Sequence, residues 1–507
     1  MPNTMTIEPI TQLLNEAPMP LLQLDQIRLE TSAKLDRKRR SQLGQFMTPS
    51  SIARFMASLF TDSGLFSASL LDAGAGIGSL SSAFLERWRA GGFGFKRVSA
   101  TAYEIDPVLR CQLAETLGSY AGNNITIDIE SSDFIEDSVF LLGFGKGVCF
   151  THAILNPPYK KILSNSSHRL MLRKAGIETV NLYSAFVALA MARMMPGGQV
   201  VAIIPRSFCN GPYYKPFREF ILSRAAIRRI HLFTSRDKAF KDDDVLQENI
   251  IISLERNGEQ GPVTVSTSND DSFSDFASFS IPFDQIVKPG DHEGFIHIPV
   301  SSDPEPRALP SSVCHSLADL GIAVSTGPVV DFRLKPHLVS MPVSGAVPLL
   351  YPCHFSGQVT EWPKVDSKKP NAIMVNKETR GWLFPNGFYT VVRRFSSKEE
   401  KRRIVASVVS PDLFNAEMLG FENHLNVYHQ AKAGLCKELV HGLAVFLNSS
   451  HIDAFFRRFS GHTQVNATDL RLLKYPSLPQ LKALGRWALS QRETSQEDID
   501  NKIDTLP

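Results

Sequence analysis

The sequence predicts a doubly wound α/β fold, a mostly parallel sheet with helices on both faces, followed by a separate α+β unit. Three observations carry this. From about residue 65 to residue 256, short apolar, β-rich runs alternate with longer segments of helical spacing. The polar motifs fall at the carboxyl ends of those runs, where open α/β sheets hold their ligands. After Glu255 the composition changes to RNGEQGPVTVSTSNDDSFSDFASFS, a Ser-rich, Gly-punctuated stretch.

In chain order, SLLDAG, VSATAYEI, AILNPP, QVVAIIP, IRRIHLF and ENIIISLE read as strands. SLSSAFLERWRA, PVLRCQLAETLG, NLYSAFVALAMARMM and YKPFREFILSRA read as helices. The expected organisation is an N-terminal segment over residues 1–40, the sheet unit over 41–256, a linker over 257–280, an α+β unit over 281–485 and a fraying polar tail over 486–507. The helix KELVHGLAVFLNSSHIDAFFRRF is the clearest element of the second unit.

The 507 residues are enough for two or three cores, and 54 Lys and Arg against 51 Asp and Glu leave a net charge of only +3. A nucleic-acid partner therefore has to be argued from local clusters. No apolar run reaches the roughly 18 residues needed to span a bilayer. The N-terminus MPNTMTIEPITQ has no basic region leading into an apolar one, so an intracellular, cytoplasmic chain without a membrane partner is expected. Cys111, Cys149, Cys209, Cys314, Cys353 and Cys436 are scattered singly, without zinc spacing or a disulfide framework, and no metal is expected.

The chemistry begins with AILNPPYKK. Neither Pro157 nor Pro158 can continue a paired strand, so the strand ends there. Asn156 offers a neutral carbonyl acceptor, Pro157 a fixed backbone carbonyl and Tyr159 a flat face, a set able to hold a planar amine. An ordinary Asn-Pro turn fits the same residues. In LLDAGAGIGSL, Asp72 precedes Gly74, Gly76 and Gly78 and a helix then opens, so a ligand can approach bare backbone and free N–H groups. The third glycine comes one residue too early for the dinucleotide fingerprint, which disfavours NAD. YEIDP puts Glu104 at the next strand end, placed to accept from ribose hydroxyls. SSDFIED adds Asp133 as an acceptor for an adenine amino group and Phe134 as a packing face. With no P-loop lysine, these strand-end acids point to a nucleoside carrying an amino-acid tail.

In this order the motifs resemble the γ-class N6-adenine DNA methyltransferases of restriction-modification systems, the TaqI-like group, over about residues 40–256. Gly44–Pro49, GQFMTP, resembles the segment that precedes the glycine motif in that family, although DAGAGIG departs from the family's usual glycine motif. The resemblance implies a Rossmann-like methyltransferase sheet and a C-terminal target-recognition domain that reads double-stranded DNA. It implies S-adenosyl-L-methionine as cofactor, with Thr48 and Pro49 at its methionine end. Asp72, Gly74 and Gly76 would lie at its amino-acid and ribose region, Glu104 at the ribose, and Asp133 with Phe134 at the adenine. Asn156 and Pro157 would accept from the target amine, while Tyr159 and Phe240 would stack on a flipped-out adenine. A cognate restriction endonuclease on a separate chain is the implied partner.

AKLDRKRR and RRFSSKEEKRR are local basic clusters that could neutralise phosphates, and solvated helix faces fit them equally, whereas FFRRFSGHTQ mixes aromatics with arginines and is the element expected to contact bases or backbone. The rival readings are a methyltransferase acting on an RNA base or a protein glutamine, a fused methylase-nuclease, and a non-catalytic DNA-binding regulator. The last of these would be expected to lose the Asn-Pro-Pro-Tyr acceptors, which are intact here.

Overall fold

A computed structural model of the chain describes residues 19–34, 47–233, 248–299, 309–356, 359–396, 400–459 and 464–506. Phe240 and residues 44–46 lie outside them. The chain divides into two units, Met1–Ser302 and Asp303–Pro507.

The first unit is built on a nine-stranded sheet of β1 (Ser67–Ala73), β2 (Arg97–Tyr103), β3 (Ile125–Glu130), β4 (Phe150–Leu155), β5 (Met194–Pro205), β6 (Ala225–Phe233), β7 (Asn249–Arg256), β8 (Val263–Ser268) and β9 (Ala277–Ile281). Their order across the sheet is β3-β2-β1-β4-β5-β7-β6-β8-β9. β1 pairs in parallel with β2 and with β4, and β4 with β5, whereas β7 runs antiparallel between β5 and β6. The order reverses between β1 and β4, and the crevice above such a reversal is where a doubly wound sheet receives its ligand.

Alternation along the strands builds two cores. Leu71, Leu155, Ala202 and Ile252 face a cluster that includes the helix Leu182–Arg193, while their chain neighbours Leu70, Ile154, Val201 and Ile251 face one that includes the helices Ser50–Ser58 and Ser79–Arg89. All six residues of β4 are buried, as expected of a strand covered on both faces, whereas edge strand β3 alternates between buried or half-buried and exposed positions. The N-terminal helix Met19–Lys34 adds Leu21 and Leu24 to the second core.

Two expected boundaries are corrected. The expected linker at 257–280 contains β8 and most of β9, which extend the sheet, with Val263 and Val265 in the core. Its polar composition is deceptive because two of its serines are partners of a buried histidine: Ser266 Oγ and Ser268 Oγ lie 2.9 and 3.1 Å from the two ring nitrogens of His231. The expected fraying tail instead contains the end of the helix Leu478–Ser490 and the helix Gln496–Asp504. Ser495 caps the last helix, and Ile499 and Ile503, one turn apart, are buried in the core of the second unit.

The second unit is α+β, as its composition suggested. A four-stranded antiparallel sheet joins Ala323–Thr326, Leu425–His429, Tyr389–Arg393 and Ala406–Val409 in that order, and the unit also holds a five-stranded sheet of shorter strands. The helices Lys437–Leu447 and Leu478–Ser490 cross at two glycines. A Cβ on Gly442 would fall 1.8 Å from the Leu481 carbonyl oxygen, and one on Gly485 would fall 1.7 Å from that of Glu438.

Candidate active site

At the carboxyl edge of β1, β2 and β4 the chain encloses a cavity of about 380 Å³. Its floor is the glycine turn. Gly74 N–H and Ala75 N–H both donate to the Tyr103 carbonyl at 2.9 Å, tying the turn to the end of β2. Gly76 has φ +58°, and a Cβ there would meet nothing within 4 Å, so the backbone lies bare to the cavity. Gly78, at φ +90°, opens the following helix, and a Cβ there would sit 2.9 Å from Leu113 Cδ1.

Glu104 lines the cavity, 5% exposed. Its carboxylate accepts from Gly76 N–H at 2.9 Å and from Asp106 N–H at 2.8 Å, one to each oxygen. Burial outweighs these bonds and raises its pKa from 4.5 to about 7. Asp72 is placed differently from the sequence expectation. It is fully buried beneath the glycine turn, where it accepts from Ser81 Oγ at 2.7 Å and Ser81 N–H at 3.2 Å, and it does not line the cavity. Burial raises its pKa to about 7 as well.

Asp133 and Phe134 line the third side. One Asp133 oxygen caps the helix Phe134–Gly143 through Ile135 N–H at 2.8 Å and Glu136 N–H at 3.1 Å. The other lies 3.2 Å from His168 Nε2, and the histidine also lines the cavity. Phe134 is 2% exposed and packs at 5.1 Å from the Tyr103 ring and 5.0 Å from that of Phe186.

Above this stands the end of β4. Asn156 Nδ2 donates to Thr48 Oγ1 at 3.0 Å, and the Tyr159 hydroxyl lies 3.2 Å from both Asn156 Oδ1 and the Ile203 carbonyl. The amide thus has its nitrogen directed to Thr48 and its carbonyl toward Tyr159. Burial pushes the Tyr159 phenol far above its ordinary value, so it stays protonated. Thr48 and Asn156 line the cavity; Pro157 is buried, and Pro49 opens the helix Ser50–Ser58, its carbonyl accepting from Ala53 N–H. His168, Phe186, Ile105, Lys160 and Lys161 line the cavity without having been singled out from the sequence. The two lysines and Ile105 directly follow recognisable motifs, whereas no linear pattern ties His168 to Asp133. Among the described residues, no group of three or more metal-ligating side chains occurs, and no cysteine lines the cavity.

The acidic acceptors Glu104 and Asp133, lining a cavity floored by a bare glycine turn, fit a nucleoside with a cationic amino-acid tail. A neutral amide and a phenol at the adjoining strand end fit a planar amine. Sheet order and strand-end residues together define a methyltransferase of the doubly wound α/β class. A profile described as the Eco57I restriction-modification methylase matches residues 106–240. The type II methyltransferase M.BsuBI of Bacillus subtilis is 52% identical over 491 residues, 95% of this chain and 97% of that protein. M.PstI of Providencia stuartii is 43% identical over 508 residues, 98% of this chain and 96% of its own length. The chain belongs to this family, the type II DNA methyltransferases of restriction-modification systems. Among solved structures, the fold is shared with a DrdV–DNA complex (TM-score 0.51, 12% identity, 92% of this chain and 59% of that one) and with the type IIL restriction-modification enzyme MmeI bound to DNA (TM-score 0.50, 10% identity, 96% and 74%).

Proposed function

We propose that the enzyme transfers a methyl group from S-adenosyl-L-methionine to N6 of an adenine flipped out of double-stranded DNA. The observation that carries this reading is the Asn156 amide, fixed between Thr48 and Tyr159 at the edge of the cavity. An exocyclic amine is a weak nucleophile because its lone pair is delocalised into the ring. The Asn156 side-chain carbonyl and the Pro157 backbone carbonyl can accept its two hydrogens and favour a pyramidal nitrogen. Methylation at a pyrimidine carbon would instead need a nucleophile such as a thiolate, and buried Cys209, raised to about 12, does not line the cavity.

The donor set fits the cofactor: the Glu104 carboxylate for ribose hydroxyls, Asp133 and Phe134 for the adenine, and the bare backbone at Gly76 for close approach. When bound, the cofactor supplies an already activated methyl, and the chain's own task is positioning and electrostatic stabilisation. Thr48 orients Asn156, and Tyr159, which packs against the core beside the cavity rather than lining it, is proposed as one stacking face for the flipped base, helping offset an unstacking cost of a few kcal/mol. Phe240 is proposed as the second stacking face. Its support is that β6 ends at Phe233 and β7 begins at Asn249, both at the carboxyl edge of the sheet, the edge that carries the site. The enzyme is proposed to act on DNA in the cytoplasm; among the described residues no helix is long and apolar enough to cross a membrane. Two full-length type II relatives support a separate endonuclease of the same specificity as partner.

The test is transfer of labelled methyl from the cofactor to duplex DNA, RNA and protein, followed by identification of the modified nucleoside. N6-methyladenine in the duplex alone is expected. Asn156→Ala should lower turnover by two to three orders of magnitude while the cofactor still binds. Near-normal turnover of this variant would remove the assignment.

A further inference from the structure

We propose that His424, flanked by Phe395 and Gln464, reads a base edge of the DNA target. The inference rests on the second unit being the DNA-reading part of the enzyme and names the element that does the reading.

Three chain segments meet at one end of the four-stranded sheet. Arg394 N–H donates to the His424 carbonyl at 2.8 Å, and Val465 N–H donates to the Arg394 carbonyl at 2.7 Å. Asn426 Nδ2 donates to the Val465 carbonyl at 2.7 Å, so the segments around residues 394, 424 and 465 hold one another. The Arg394 guanidinium ties the assembly further, donating to the Asn423 carbonyl at 3.2 Å and to Gln464 Oε1 at 3.1 Å.

At the centre is a carboxylate that the transfer chemistry does not use. Glu422 is fully buried; one of its oxygens lies 2.5 Å from His424 Nδ1, and the other accepts from His424 N–H at 2.9 Å. The carboxylate accepts only, so Nδ1 carries a proton and Nε2 is the nitrogen turned away. The His424 side chain is nevertheless 39% exposed, and its ring stands 4.8 Å from that of Phe395, itself 42% exposed. Burying a carboxylate is costly, and an apolar pair would serve stability at least as well. What the burial achieves is a surface imidazole fixed in tautomer and direction.

Gln464 is oriented in the same way: its carbonyl is taken by Arg394, which leaves the amide N–H groups as its outward function. An imidazole nitrogen, a primary amide and an aromatic face within one rigid cluster match the hydrogen-bonding edge and apolar surface of a base in a duplex groove. The acid facing this cluster from a neighbouring turn, Asp331, is paired with Lys369 Nζ at 2.8 Å.

The experiment uses the full-length enzyme. Sequencing methylated positions in DNA from expressing cells gives the target site. Hydrogen exchange with and without a duplex of that site then shows which peptides it covers, and kcat/KM is measured on the site and on each single-base-pair variant. Protection of residues 394–396 and 422–424 is expected. His424→Ala and Phe395→Ala should each lower kcat/KM at the target roughly tenfold to a hundredfold and flatten discrimination at one position. Cofactor affinity and the salt dependence of binding should stay unchanged. Unaltered discrimination in both folded variants overturns the inference. So does uniform weakening on all sequences with a shallower salt slope, the signature of a phosphate contact. If DNA protects other parts of the second unit but not these segments, this inference alone fails; if it protects no peptide from residue 309 onward, the reading of the unit fails with it.

Discussion

Thr48 and Asn156, 108 positions apart in the chain, are joined by a 3.0 Å hydrogen bond in which the asparagine amide donates to the threonine hydroxyl. The bond binds the segment before the sheet to the tip of β4. It fixes which end of the Asn156 side chain is available to a target amine. Thr48→Val keeps the shape and removes the acceptor, so the amide loses its direction. A net hydrogen bond of about 0.5–1.5 kcal/mol corresponds to a roughly two- to tenfold slower single-turnover rate at saturating cofactor, and Thr48→Ser should restore most of it. An unchanged rate would show that Tyr159 alone orients the amide.

Glu104 gives a pH dependence with a definite sign. Its folded-state pKa, about 7, is above its ordinary 4.5, so the site favours the fold most below 4.5 and that contribution is lost as pH rises to about 7. Ribose hydroxyls donating to the carboxylate would favour its charged form. Cofactor affinity should therefore increase between pH 6 and 8, with proton release detectable by calorimetry in buffers of different ionisation enthalpy. Glu104→Gln should weaken affinity by about 1.5–3 kcal/mol and flatten the profile. Asp72 titrates in the same range beneath the glycine turn, so a profile that persists in the variant would point to Asp72 instead.

His231 acts in the opposite direction on stability. Burial among aromatic rings, with Phe55 at 4.6 Å, lowers its pKa from 6.5 to about 3, and it stays neutral in the fold. Its contribution is complete above pH 6.5 and is lost as pH falls toward 3, by about 1.4 kcal/mol per pH unit once the unfolded chain is protonated. His231→Gln should reduce overall stability. It should also remove about one proton's worth of slope between pH 6 and 4, measured by denaturant unfolding at several pH values. An unchanged slope would place the acid sensitivity at His152, which burial holds near 4.

Much of the site was legible because each residue lay at a predictable place on a predictable strand. β1, β2 and β4 end where apolar alternation gives way to Gly74, Glu104 and Asn156, and the structure brings these three to one cavity. The sequence could not tell that Asp72 faces inward toward Ser81, since alternation names two faces without saying which side chain a neighbouring helix will claim. β8 reads as linker because Ser266, Thr267 and Ser268 put hydroxyl side chains at buried positions, and the partner of Ser266 and Ser268 is His231, more than thirty positions away in the chain. The basic cluster RRFSSKEEKRR was also opaque. Arg403 is 1% exposed, with Nε donating to Ser396 Oγ and its guanidinium over the Phe456 ring, while Arg393 pairs with Glu400 and Arg402 with Gln496. What reads as a phosphate-binding run is thus largely internal bracing.

The glycine crossing in the second unit has a mechanical meaning. At Gly442 and Gly485 backbone meets backbone, so no rotamer change can relieve an error of placement. Sliding one helix by a residue, or turning it by a third of a revolution, would drive a side chain into a carbonyl oxygen. The crossing works as a keyway, admitting a single axial and rotational setting. A key of this kind does not depend on loop sequence. The tips at 394–396 and 422–424 can be rewritten to read another base pair while the frame behind them keeps its alignment, which separates the evolution of what is read from the upkeep of the fold that reads it.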